Sequence, residues 1–69
     1  MQIKYFADTD TLYFILNNKP VFETKDLDEN TVIDLDAQGN LVCITIEHAK
    51  QRTDVASFSF QQVAAQTAA

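Results

Sequence analysis

One glycine, one proline, one cysteine and one histidine stand in this chain of 69 residues, and each scarcity excludes something. A single cysteine, Cys43, forms no intrachain disulfide and no cysteine-based zinc cage, which removes two usual staples of small domains and suits a reducing compartment. A single histidine, His48, rules out a multi-histidine metal site. The only proline, Pro20, follows Asn17-Asn18-Lys19 and forbids a central ladder position there, so the chain turns. The basic residues number five against ten acidic ones, for a formal charge of −5, and they form no stripe. Direct nucleic-acid binding needs lysine and arginine to displace counterions from phosphates, and is not expected. The acidic excess suits ordinary solubility or a small basic protein partner. There is no basic-then-apolar leader and no apolar run of about 20 residues, so a soluble, cytoplasmic protein without a membrane partner is expected.

What the chain does have is β-branched and aromatic residues, with 46% of it hydrophobic. That is too apolar for a disordered chain, and the length fits one small domain over residues 1–69. A chain of this size buries only about 60% of its unfolded surface, while ordering costs roughly 1.5 kcal/mol per residue. A monomer is therefore marginal, and a homodimer is the natural remedy.

The one glycine marks the clearest local structure. Gly39 adopts positive φ without steric cost, so Asp36-Ala37-Gln38-Gly39-Asn40 reads as a type I turn with a G1 bulge, and Asp36, Gly39 and Asn40 are its structural residues. The flanking runs from Thr31 and to Ile46 then form a hairpin in which Leu35 opposes Leu41, Ile33 opposes Cys43 and Val32 opposes Ile44. That register puts Val32, Val42, Ile44 and Ile46 on one face, and they are the expected dimer interface. Gln2 to Phe6, Thr11 to Leu16 and, more weakly, Val21 to Leu27 read as further strands. The predicted fold is α+β: an antiparallel meander sheet of four or five strands with a C-terminal helix. Residues 47–52 continue as a bulge or a short helical turn. Ser59-Phe60-Gln61-Gln62 fits a capping box and predicts a helix from about Phe60, while Phe58 with Phe60 leaves a last short strand open.

The side chains capable of chemistry are few. Asp8, Asp10, Asp34 and Asp36 are the candidate metal ligands, and no cofactor is expected. From Asp34 onward the spacing fails as a calcium loop, because its fifth position is Gln38 and its twelfth is Thr45. Cys43 reads as a small core hydrophobe, and His48 has no recognisable nucleophile to serve. Tyr5, Phe6, Tyr13, Phe14 and Phe22 offer a stacking platform with no basic residues beside it, so they read as core. No catalytic residue is assigned. A non-catalytic, homo-oligomeric interaction module is the favoured reading; the alternative is a small enzyme or divalent-metal binder using the aspartate-rich turns.

The run from Tyr5 to Phe14, then Asp34-Leu35-Asp36-Ala37-Gln38-Gly39 and Ile44 through Ala49, resembles the small bacterial domain-of-unknown-function family twenty-two eighty-three. Tyr5, Asp10, Leu12, Tyr13, Asp34, Gly39, Ile46 and Ala49 fit its signature. Cys43 stands where the signature has glycine, and Lys50 where it has serine. The resemblance spans about residues 1 to 52 and brings no catalytic residues to carry over. It implies an antitoxin-like relationship for some members, encoded beside small ribonuclease-like toxins.

Overall fold

Five short segments rich in β-branched and aromatic residues pair into one antiparallel sheet in the computed structural model, which describes residues 1–65. They are β1 (Gln2–Phe6), β2 (Thr11–Ile15), β3 (Glu23–Asp28), β4 (Thr31–Leu35) and β5 (Leu41–Glu47), followed by a single-turn helix α1 (Ala49–Arg52). The order across the sheet is β1-β2-β5-β4-β3. This arrangement is meander-like, with every hairpin kept: β1–β2, β3–β4 and β4–β5 pair as chain neighbours. Residues 16–22, which hold Pro20, carry the chain to the far edge, so β2 lies beside β5 and not beside β3.

The central turn forms as its residues require. Gly39 has φ 85°, its N–H donates to the Asp36 carbonyl at 3.1 Å, and the Asp36 N–H donates to the Asn40 carbonyl at 2.9 Å. Leu35 opposes Leu41 as expected, but the register then shifts by one residue. Asp34 pairs with Cys43, Ile33 with Ile44 and Val32 with Thr45, leaving Val42 as the extra residue of a bulge. The cause lies on β5's other side. The Val42 carbonyl accepts the Leu16 N–H at 2.8 Å, and the Asn17 side-chain amide donates to the Leu41 carbonyl at 2.6 Å, so the exit of β2 draws this stretch out of line.

A one-residue shift exchanges faces, and the expected division is corrected accordingly. Ile33, Ile44 and Ile46 share a face with Leu12 and Phe14 of β2 and with Ile3 and Tyr5 of β1. Val32 lies on the opposite face with Cys43, Thr45, Tyr13 and Ile15. Phe6 packs on that second face, its ring edge-on to Tyr13 with centroids 5.4 Å apart.

The helix also sits elsewhere than its capping box suggests. Residues 53–65 contain no helix, and the rest of the expected span lies outside the described residues. Ser57-Phe58-Ser59-Phe60 alternates with a period of two, and a short helix needs packing support that an exposed arm does not provide. Instead the chain turns at His48, whose φ of 54° is left-handed, directly into α1. The buried hydrophobic side chains are Leu12, Val42 and Ala49, and no large side chain among the described residues is fully buried. One sheet, one helical turn and an extended arm are what this chain can assemble alone.

Candidate interaction surface

At one end of the sheet α1 is held between two turns. Asp10 closes the β1–β2 turn in a left-handed conformation, φ 53°, which costs a non-glycine residue strain. Its carbonyl accepts the Ala49 N–H at 3.0 Å, and its Oδ1 accepts both the Lys50 N–H at 3.1 Å and the Tyr5 hydroxyl at 2.6 Å. Two free N–H groups at the start of a helical turn thus find the carbonyl and the carboxylate of one residue. These bonds act on both partners. The hydroxyl of Tyr5, hydrogen-bonded to Asp10, partly desolvated and beside its charge, has its pKa pushed up to about 12. The Asp10 carboxyl is held below the usual carboxylate range by the Tyr5 hydroxyl first, then by the Lys50 N–H and the nearby charges of Lys50 and His48.

At its other end α1 is tied to the β3–β4 turn. Arg52 forms a two-pronged pair with Asp28, with contacts of 3.2 and 3.0 Å, and also donates to the buried Thr31 hydroxyl. Asp28 is held below the usual carboxylate range by the Asn30 N–H and, less strongly, by Thr31 and Arg52. Ala49, 0% exposed, lies under this arrangement.

The four candidate metal ligands do not meet. Asp8 and Asp10 stand at the end of the sheet where β5 finishes, Asp34 and Asp36 at the opposite end. Each already accepts hydrogen bonds: Asp8 accepts the Thr9 N–H at 3.0 Å and Asp34 accepts the Thr24 hydroxyl at 2.7 Å. Asp36 is buried, and its carboxyl is held low by the Asn40 N–H at 2.8 Å first, then by the Asn40 side-chain amide, the Gln38 N–H at 2.9 Å and the Lys19 charge. No group of three or more such ligands gathers among the described residues. Cys43 is a half-buried free thiol whose Sγ lies 4.0 Å from the Thr45 hydroxyl.

Of the residues expected at an interface, Val42 is 6% exposed and belongs to the core of this chain, while Ile44 and Ile46 are half-buried on the face opposite Val32. They do not make one patch. Strongly exposed apolar groups lie at both edges of the sheet, with Val21, Phe22 and Leu27 on or just before β3 and Met1, Phe58 and Phe60 on the β1 side. From Thr53 the arm crosses the face of β1 and β2, where Thr53, Val55 and Phe58 share a hollow with Ile3, Tyr5, Leu12 and Phe14. Phe58 and Phe60 then close a second hollow with Met1 and Ile3 at the rim of β1. Met1, Phe58 and Phe60 are 74%, 60% and 70% exposed. Sequence reasoning missed both the clamp on α1 and this rim; the alternation of Phe58 and Phe60 was the one available signal for the latter.

A small antiparallel sheet, closed at one end by a helical turn hung from Tyr5, Asp10 and Ala49, thus defines the class. The chain belongs to the family described as "Protein of unknown function (DUF2283)", whose model matches residues 2–50. Tyr5, Asp10 and Ala49 lie inside that match, and the arm lies outside it. No curated protein and no solved structure matches the chain. No helix among the described residues is long and apolar enough to cross a membrane.

Proposed function

We propose that the protein works as a small non-catalytic interaction module that associates with itself. The observation that supports this is the single-layered sheet: half-buried apolar side chains on both faces, and an arm that covers part of one. Burial of such groups is the main favourable term in association, and a chain this small has little core of its own to stand on. The acidic excess adds a second level to the same reading. A chain of net charge −5 with no basic stripe suits a basic protein as heterologous partner, which is the antitoxin-like version of the role. The aspartates do not favour a metal or catalytic reading, since each already accepts hydrogen bonds.

Light scattering on the purified chain at micromolar concentration tests the self-association. A mass of two or more chains is expected, and a clean mass of 7.8 kDa would overturn the reading.

A further inference from the structure

The two edges of the sheet are built differently. β3 reads Glu-Thr-Lys-Asp-Leu-Asp, fully exposed, crowded with charge and interrupted by a bulge between Asp26 and Asp28. Those are the devices by which edge strands refuse a new neighbour. β1 reads Gln-Ile-Lys-Tyr-Phe, carries one charge, and pairs with β2 in an unbroken register. Its outer side has no backbone partner among the described residues, since the arm passes beside it without a backbone hydrogen bond. The exposed Met1, Phe58 and Phe60 stand along this same rim.

We propose that β1 is the docking edge for a second copy of this chain, whose own β1 lies antiparallel to it about a two-fold axis through Ile3. This rests on the self-association reading above and says where it occurs. The axis follows from parity. Opposed residues in an antiparallel pair share a face, so the two residue numbers of each pair sum to an even number. An axis at Lys4 sets two ammonium groups against each other, and an axis at Tyr5 runs the strand into the Ala7–Asp10 turn. An axis at Ile3 sets Ile3 against its own copy and Gln2 against the partner's Lys4, and it brings both apolar rims together on one face. Charge does not oppose a copy at this edge. The chain is acidic, but Glu23, Asp26 and Asp28 lie on the strand farthest from the axis, and the single charge on β1 is positive. Two sheets of five strands then run on as one of ten.

Cysteine pairing decides it. In a Cys43→Ser background, Gln2→Cys and Lys4→Cys chains are co-expressed and mildly oxidised, both positions being exposed and tolerant of change. The expected result is a disulfide-linked dimer containing one chain of each kind, with neither variant cross-linking when expressed alone and with Thr24→Cys on β3 remaining uncross-linked. A dimeric mass without the mixed cross-link overturns the β1 edge and leaves self-association standing. Cross-linking of Lys4→Cys to itself overturns the axis, and a monomeric mass overturns both.

Discussion

Two aspartate turns sit at opposite ends of the sheet and do similar work by different means. At Asp36 the hydrogen bonds are local: the carboxylate accepts N–H groups two and four residues ahead, and Gly39 supplies the left-handed step without strain. At Asp10 the left-handed step is taken by the aspartate itself, and its carboxylate reaches the N–H of Lys50, forty residues on. The first turn shapes one hairpin. The second joins β1, β2 and α1, and so sets where the arm begins. Strain at the second is tolerated because three hydrogen bonds, from Tyr5 of β1 and from Ala49 and Lys50 of α1, hold the residue in place.

The largest expected effect lies at the long-range turn. Ala49→Leu forces a bulky side chain beneath the Asp10 bonds and costs about 1–3 kcal/mol in chemical denaturation. Amide exchange should accelerate at Lys50 and through residues 53–55 while the Asp36 turn stays protected; uniform loss of protection would show that the two ends are one cooperative unit. Next comes Gly39→Ala. No atom lies within 4 Å of the added methyl, so only the backbone penalty at φ 85° remains, about 1 kcal/mol. An unchanged midpoint would mean the turn relaxes freely.

The smallest effect separates the turns by pH. Both carboxyls are depressed, so both turns contribute stability that is present above the ordinary carboxylate range and lost as pH falls through the lower folded values. The Asp10 turn has an alkaline limb set by a tyrosine. The Tyr5 pKa rises from 10.0 to about 12, so its bond stabilises fully below pH 10.0 and is lost as pH climbs to about 12. Unfolding midpoints of the wild type and Tyr5→Phe across that window test it: the alkaline decline should shrink in the variant, and identical declines would assign it to another group.

The same contrast explains what could be read from the residues. β1 was legible to its bounds, and the left-handed Gly39 of the Asp36–Asn40 turn with it, because those determinants lie within a few positions. The bulge at Val42 was not, since what draws it out is the end of β2, at Leu16 and Asn17. Tyr5, Asp10 and Ala49 could be matched to a family pattern, but their meeting in space depends on β5 lying between β2 and β4. The capping box at Ser59 misled because local signals describe what a segment prefers once it is packed, and the arm has little to pack on.

The strand order also bears on how the chain reaches this fold. β3, β4 and β5 are joined by tight turns and close only short loops, as do β1 and β2. One ladder, β2 with β5, joins the N-terminal hairpin to the distant three-stranded piece. Loop-closure entropy therefore concentrates in a single event, the docking of a two-stranded ribbon on a three-stranded one. Until it occurs, the three-stranded piece exposes β5 as a bare apolar edge, and the time that edge stays open sets the chain's exposure to aggregation during synthesis.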